Sequence, residues 1–273
     1  MRVQMLGAST EDTTRRQYLS SYLINETIAI DAGCLGLHGT PQEQQTIRHV
    51  FLTHSHCDHT ASLPIFVENA WTPAGECPRI YGGSETLDAV QQYIFNDVMW
   101  PDFVALSRKM NPFLRLCPLD AEIPVEADGL RITPVRVNHL VPTFGYVIAD
   151  DRSAVIIAGD TGPTERLWEV AHQTAGLTAV FLEACFPNSL KHLAEVSFHL
   201  TPEMFAAEVG KMPSGIKVIV THIKVRYRDE IVRELHDLGL RQVEIGDCEK
   251  DYDFPEVATS RALTAVSSEP RVA

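Results

Sequence analysis

No run of apolar residues in this sequence approaches the ~20 that a membrane-spanning helix requires. The opening MRVQMLGAST also lacks the apolar core of a secretory signal. Together these absences predict a soluble, cytoplasmic protein with no membrane partner. The six cysteines, at 34, 57, 77, 117, 185 and 248, show no CxxC spacing, which argues against a disulfide framework and against a cysteine-based zinc knot. Lysine and arginine are scattered and the net charge is −13, so the electrostatic footprint of a chain that grips a nucleic-acid polymer is missing. Low-complexity tracts and repeats of solenoid period are lacking too. What is present is 273 residues with 45% hydrophobic content, enough for a sizeable core. One domain over residues 1–273 is the simplest organisation, with a small, polar, loosely held tail from about Val257.

Short β-type runs recur at 2–6, 21–24, 27–31, 49–53, 130–137, 154–160, 179–183 and 217–222, and helical patterns occupy 85–98, 164–174, 202–211 and 228–238. Several strand runs lead into a group able to bind a metal ion. Thr53 leads into His54, Val137 into Asn138 and His139, Gly159 into Asp160, and Thr221 into His222. Ligands at strand ends above a covered sheet make a rigid, converging site.

The densest of these stretches is HSHCDH, residues 54–59. Histidines at i and i+2 of an extended chain project to one side, so His54 and His56 can reach one cation. Asp58 and His59 fall where CDHTASLPIFVENA can begin a helix, which aims them at a neighbouring point. Imidazole and carboxylate suit zinc, and with more oxygen manganese or iron.

H-x-H-x-D-H, followed by a lone His, Asp and His at later strand ends, resembles the metallo-β-lactamase superfamily. SYLINETIAIDAG is similar to that superfamily's opening strands and Asp-x-Gly turn. The resemblance implies an α/β fold, a four-layer αββα sandwich with a dinuclear metal site at the strand ends. By position, His54, His56 and His139 would serve one ion, Asp58, His59 and His222 the other, with Asp160 bridging. Two divalent ions are then expected, zinc first, with manganese or iron as alternatives.

FLTHSHCDHTASLPIFVEN, YIFNDVMWPDF, NHLVPTFGY, GDTGPTERLW, FPNSLKHLAEVSFHLTPEMFAAEV and THIKVRYRDEIVREL together resemble class II 3′,5′-cyclic-nucleotide phosphodiesterases. Cys57, where an aliphatic residue is usual, and Cys34 depart from that pattern, and neither replaces a ligand. The resemblance implies hydrolysis of a cyclic nucleotide to the nucleoside monophosphate, with Asp58 and Asp160 at the reacting centre. A metal pair supplies the nucleophile from bound water and cancels phosphoryl charge.

Such chemistry also needs an acid for the leaving ribose oxygen. His199, ahead of a helix capped by Thr201 with Pro202 at its first turn, is the candidate, as in related phosphodiesterases including ribonuclease Z. Asn138, Lys224 and Glu183 are candidate substrate contacts, Glu183 alternatively bracing a histidine from behind. Asp31 is expected to fix a turn behind the site. Cys57 and Cys185 are expected to be buried as small hydrophobes, and 93–103 to pack into the core, a base-pocket wall or dimer contact being its other uses.

The expected partner is a small-molecule nucleotide, and a homodimer is compatible with the superfamily. The same ligands also serve ribonuclease Z-like, lactone and thioester hydrolysis, or a non-enzymatic di-iron sensor.

Overall fold

The structure, a computed structural model, describes residues 1–7, 19–73 and 76–254. The tail expected from about Val257 lies outside them. The first sheet contains β1 (Arg2–Met5), β2 (Tyr22–Ile24), β3 (Ile28–Ile30), β4 (His49–Phe51), β5 (Arg79–Gly82) and β6 (Arg115–Pro118). The second contains β7 (Val125–Ala127), β8 (Leu130–Val137), β9 (Thr143–Ala149), β10 (Ala154–Ile157), β11 (Leu177–Glu183), β12 (Lys217–Thr221) and β13 (Val243–Ile245). A last strand, β14 (Asp251–Asp253), returns to pair with β1 at the edge of the first sheet.

Each sheet is antiparallel in one half and parallel in the other. Pairings β3–β4, β4–β5 and β5–β6 are parallel, as are β10–β11, β11–β12 and β12–β13. Parallel neighbours need crossovers, and helices supply most of them. On the first sheet these include α1 (Pro41–Gln44), α2 (Cys57–Thr60), α3 (Leu63–Ala70), α4 (Ser84–Tyr93) and α5 (Phe103–Ser107). On the second they are α6 (Arg166–Gln173), α7 (Lys191–Ser197), α8 (Pro202–Val209) and α9 (Arg228–Asp237).

The period-2 alternation of strand side chains builds three apolar layers from these elements. Ile28 and Ile30 face the inter-sheet core with Tyr146, Ile157 and Phe181, while Ala29 between them faces Phe66 and Val67 of α3. On the other side Val180 and Leu182 pack with Leu167 and Trp168 of α6 and Phe205 of α8. This is the expected αββα sandwich. Its consequence for the site is that β4, β8, β10, β11 and β12 all deliver their carboxyl ends to one rim.

The helical pattern at 85–98 stops earlier than expected, at Tyr93. Asn96 Oδ1 accepts hydrogen bonds from the backbone N–H groups of Val98 and Met99, and Asp97 has φ +62°, so turn chemistry overrides the apolar period. Segment 93–103 accordingly does not pack wholly into the core. Phe95 and Phe103 are buried, but Tyr93, Val98 and Met99 stand exposed.

Candidate metal centre

After β4 the chain passes a bend at Thr53 and reaches His56, the N-cap of α2, and the helix brings Asp58 and His59 round to the same rim. The rings of His54 and His56 lie 4.6 Å apart between centroids. One ligand atom from each of His54, His56 and His139 lies within 4.8 Å of the others, and the same holds for Asp58, His59, Asp160 and His222. All seven residues expected as ligands therefore converge. Asp160 stands between the two groups, its Oδ2 3.9 Å from His54 Nε2, 3.2 Å from His59 Nε2 and 3.3 Å from His222 Nε2.

A layer of hydrogen bonds behind these side chains sets which ring nitrogen faces inward. Buried Asp31 accepts from the Thr53 backbone N–H at 2.7 Å and from His59 Nδ1 at 2.6 Å. The Thr53 hydroxyl donates to Asp31 and can therefore accept from His54 Nδ1, 2.9 Å away. His139 Nδ1 donates to the Phe198 carbonyl at 3.0 Å, and Ser20 Oγ lies 3.2 Å from His222 Nδ1. With Nδ1 engaged, each of these rings presents Nε2 to the centre. The Nε2 atom of His54 is buried and makes no hydrogen bond among the described residues, a costly arrangement that a cation would relieve. These residues fit the two divalent ions that the sequence implies.

The electrostatics agree with the geometry. Burial holds His54 well below the ordinary histidine value, lowers His56 and His139, and pushes His222 down to about 4, which favours the neutral form that a cation would need. Burial opposes ionisation of Asp160, but His222 and His59 outweigh it and keep that carboxyl well below the usual range. Asp58 is lowered in the same way, burial being overcome by His59 and His222. His59 is the exception. Burial disfavours its charge, yet Asp160 and Asp31 raise it well above the ordinary value.

His199 lies beside this cluster, its ring 5.1 Å from that of His139 and stacked 5.6 Å from that of His222. Thr201 caps α8 through the Met204 N–H with Pro202 at the first turn, as expected. Glu183 is fully buried and accepts from His199 Nδ1 at 2.8 Å, from Thr161 N at 2.8 Å and from Leu200 N at 3.1 Å. Its oxygens are thus occupied behind His199, and of the two uses expected for Glu183 the substrate contact is corrected in favour of the brace. Burial opposes charge on His199, but Glu183 outweighs it and raises the ring.

Lys224 reaches the rim with Nζ 3.6 Å from Asp58 Oδ2. Asn138 is exposed and its Nδ2 donates to the Pro163 carbonyl at 3.0 Å, which leaves its side chain tied to the neighbouring loop.

Backbone strain gathers here. Asp31, Phe198 and His222 all have positive φ without being glycine, at 61°, 54° and 51°. Gly33 is needed for a different reason, since a Cβ there would sit 2.1 Å from the Asp58 carbonyl oxygen.

Cys185 is buried as expected, with a ligand atom within reach of His199 and His222. Cys57 is exposed, contrary to expectation, because it opens a four-residue helix whose inward face is taken by His59 and Thr60. Ser20, Thr53 and the Phe198 carbonyl were not singled out from the sequence. They act through contacts between distant segments and carry no spacing signal of their own.

A family model described as a beta-lactamase superfamily domain matches residues 27–223. The chain is 26% identical over 218 residues to 3′,5′-cyclic-nucleotide phosphodiesterase 1 of Saccharomyces cerevisiae, an alignment covering 66% of this chain and 57% of that protein. This chain thus spans little more than half the length of the yeast relative. It is 25% identical over 252 residues to a ribonuclease Z of Bacillus licheniformis, covering 72% of this chain and 77% of the relative. Among solved structures, unliganded yeast PDE1 superposes with a TM-score of 0.71 at 19% identity, covering 90% of this chain and 97% of the other. The short form of human tRNase Z gives a TM-score of 0.65 at 18% identity, covering 93% and 100%.

Proposed function

The chain belongs to the metallo-β-lactamase superfamily, and from that premise we propose that it is a metal-dependent phosphodiesterase that opens a 3′,5′-cyclic nucleotide to the nucleoside monophosphate. The observation that carries this reading is the buried His199–Glu183 pair, 2.8 Å apart, beside seven converging donors. A hydrolase whose leaving group is an alkoxide, as in a phosphodiester or a lactone, needs a positioned acid, and a thiolate leaving group needs it far less, so the pair speaks against a thioester.

In this reading His54, His56 and His139 would hold one divalent ion and Asp58, His59 and His222 the other, with the Asp160 carboxylate, which lies between the two groups, available to both. Zinc suits the donor set. The ions supply Lewis acidity, neutralising phosphoryl charge and making water nucleophilic at neutral pH. His199, oriented by Glu183 through Nδ1, has Nε2 available to protonate the departing 3′ oxygen as the P–O bond breaks and the bond from water to phosphorus forms. The proton lost by that water restores the acid. Lys224 places a positive charge beside Asp58, where a phosphoryl oxygen would be held.

The test is a screen of purified, zinc-loaded protein against cyclic AMP, cyclic GMP, bis(p-nitrophenyl) phosphate, a lactone and a thioester. Turnover of the phosphodiesters is expected. Turnover of the lactone or thioester alone overturns the reading. Ribonuclease Z-type processing is the nearest competitor, given the relatives that bear that name, and cleavage of a tRNA precursor without cleavage of mononucleotides would select it instead. A net charge of −13 weighs against RNA.

A further inference from the structure

The end of α4 and the irregular segment after it form one wall of a groove of about 510 Å³, whose other wall is the α2–α3 region. Ser55 and Cys57 belong to that wall, and both lie inside the HSHCDH loop. Cys57 stands between His56 and Asp58, with consecutive Cα atoms only ~3.8 Å apart, so the groove and the metal centre share a stretch of backbone. Its volume is that of a small-ligand site rather than of a protein-docking surface. The lining is chiefly apolar and carries the side chains of Tyr93, Met99 and Trp100.

Two features separate this groove from an ordinary packing defect. Tyr93 and Met99 keep 63% and 70% of their surface exposed, although both lie on a groove wall. The indole Nε1 of Trp100 is buried and makes no hydrogen bond among the described residues. Flat aromatic faces and a polarisable thioether together suit a flat heteroaromatic ring.

We infer that this groove is the base-recognition subsite: it receives the nucleobase of a cyclic nucleotide whose phosphate is held at the metal centre, with Tyr93 and Trp100 as stacking surfaces. The inference rests on the phosphodiesterase reading above and adds to it the residues that set substrate preference. Discrimination then comes from stacking and shape, because few polar side chains line the groove. Purine cyclic nucleotides, with the larger π-face, are favoured over pyrimidine ones.

The test compares wild type with Tyr93→Ala and Trp100→Ala, using cyclic AMP and its base-lacking counterpart, ribose 3′,5′-cyclic phosphate. Each variant is expected to raise KM for cyclic AMP about tenfold, to leave kcat within about twofold, and to leave KM for the base-lacking diester unchanged. Tyr93 is largely exposed, so its variant folds even where Trp100→Ala does not. An unchanged KM for cyclic AMP in the Tyr93 variant overturns the subsite, as does an equal rise for both diesters. A change in oligomeric state without a change in KM also overturns it, in favour of an interface between two copies. Absence of turnover on either diester in the wild type contradicts the phosphodiesterase reading instead. The groove is then judged by fluorescence. Adenosine monophosphate quenching wild type and Trp100→Phe equally sinks the subsite, and quenching lost in Trp100→Phe supports it.

Discussion

His59 is an imidazole between two buried carboxylates, with Asp31 2.6 Å from Nδ1 and Asp160 3.2 Å from Nε2. Burial works against charge there, yet the two carboxylates raise the ring well above the ordinary histidine value. An ion bound at Nε2 therefore competes with a proton for that nitrogen. Zinc binding is expected to release protons, and its affinity to fall as pH falls. Isothermal titration in buffers of different ionisation enthalpy reads this directly, and a binding heat independent of buffer contradicts it.

The second residue-scale expectation concerns His199. His199→Ala should keep its metal yet lose about 10²–10⁴-fold in kcat on cyclic AMP, and an unchanged kcat removes His199 from the mechanism. Because Glu183 raises His199, the acid form persists to higher pH than a free imidazole would allow. Glu183→Gln should therefore move the alkaline limb of the kcat profile to lower pH, and a limb that stays in place contradicts the pairing. The donor cluster was legible in the sequence because metal-binding residue types recur at strand ends in one order. The roles of Ser20 and Thr53 were not, because a hydroxyl that orients a ring looks like any other serine or threonine.

Elements differ in how openly the sequence shows them. Strands β8, β11 and β12 are five residues or longer and were readable from their apolar runs. β9 was not, since it is buried on both faces between β8 and β10 and shows no alternation. β5, β6, β7, β13 and β14 have three or four residues each and draw their identity from pairing. The pairing of Arg2 with Asp253 is invisible to any local window.

Between elements, the contact most sensitive to one atom is the approach of the Asp-x-Gly turn to the Asp58 carbonyl. Gly33 N–H donates to the Ser20 carbonyl at 3.0 Å, and Ser20 N–H donates to Asp58 O at 2.8 Å, so three segments lock together there. Gly33→Ala would place Cβ 2.1 Å from Asp58 O and must push the ligand loop outward. Reduced zinc occupancy together with a melting temperature several degrees lower, roughly what ~1–2 kcal/mol removes, is expected. Full occupancy at an unchanged melting temperature contradicts this account of the turn.

At the scale of the whole molecule, two half-parallel sheets face each other and bring candidate ligands from the ends of β4, β8, β10 and β12 to one rim, no single element supplying a complete site. Among the described residues no helix is long and apolar enough to cross a membrane. The architecture fixes where chemistry occurs and leaves the reaction to the residues around the rim. The central claim is that the convergent cluster binds two ions which together drive phosphodiester hydrolysis. It is tested most directly by stripping the purified protein with chelator and following cyclic AMP hydrolysis as zinc is returned in measured equivalents. Activity should be absent at the start and saturate at about two ions per chain, with adenosine monophosphate as product and with Asp160→Ala inactive throughout. Hydrolysis that survives chelation, or a fully zinc-loaded protein that leaves cyclic AMP intact, would contradict it.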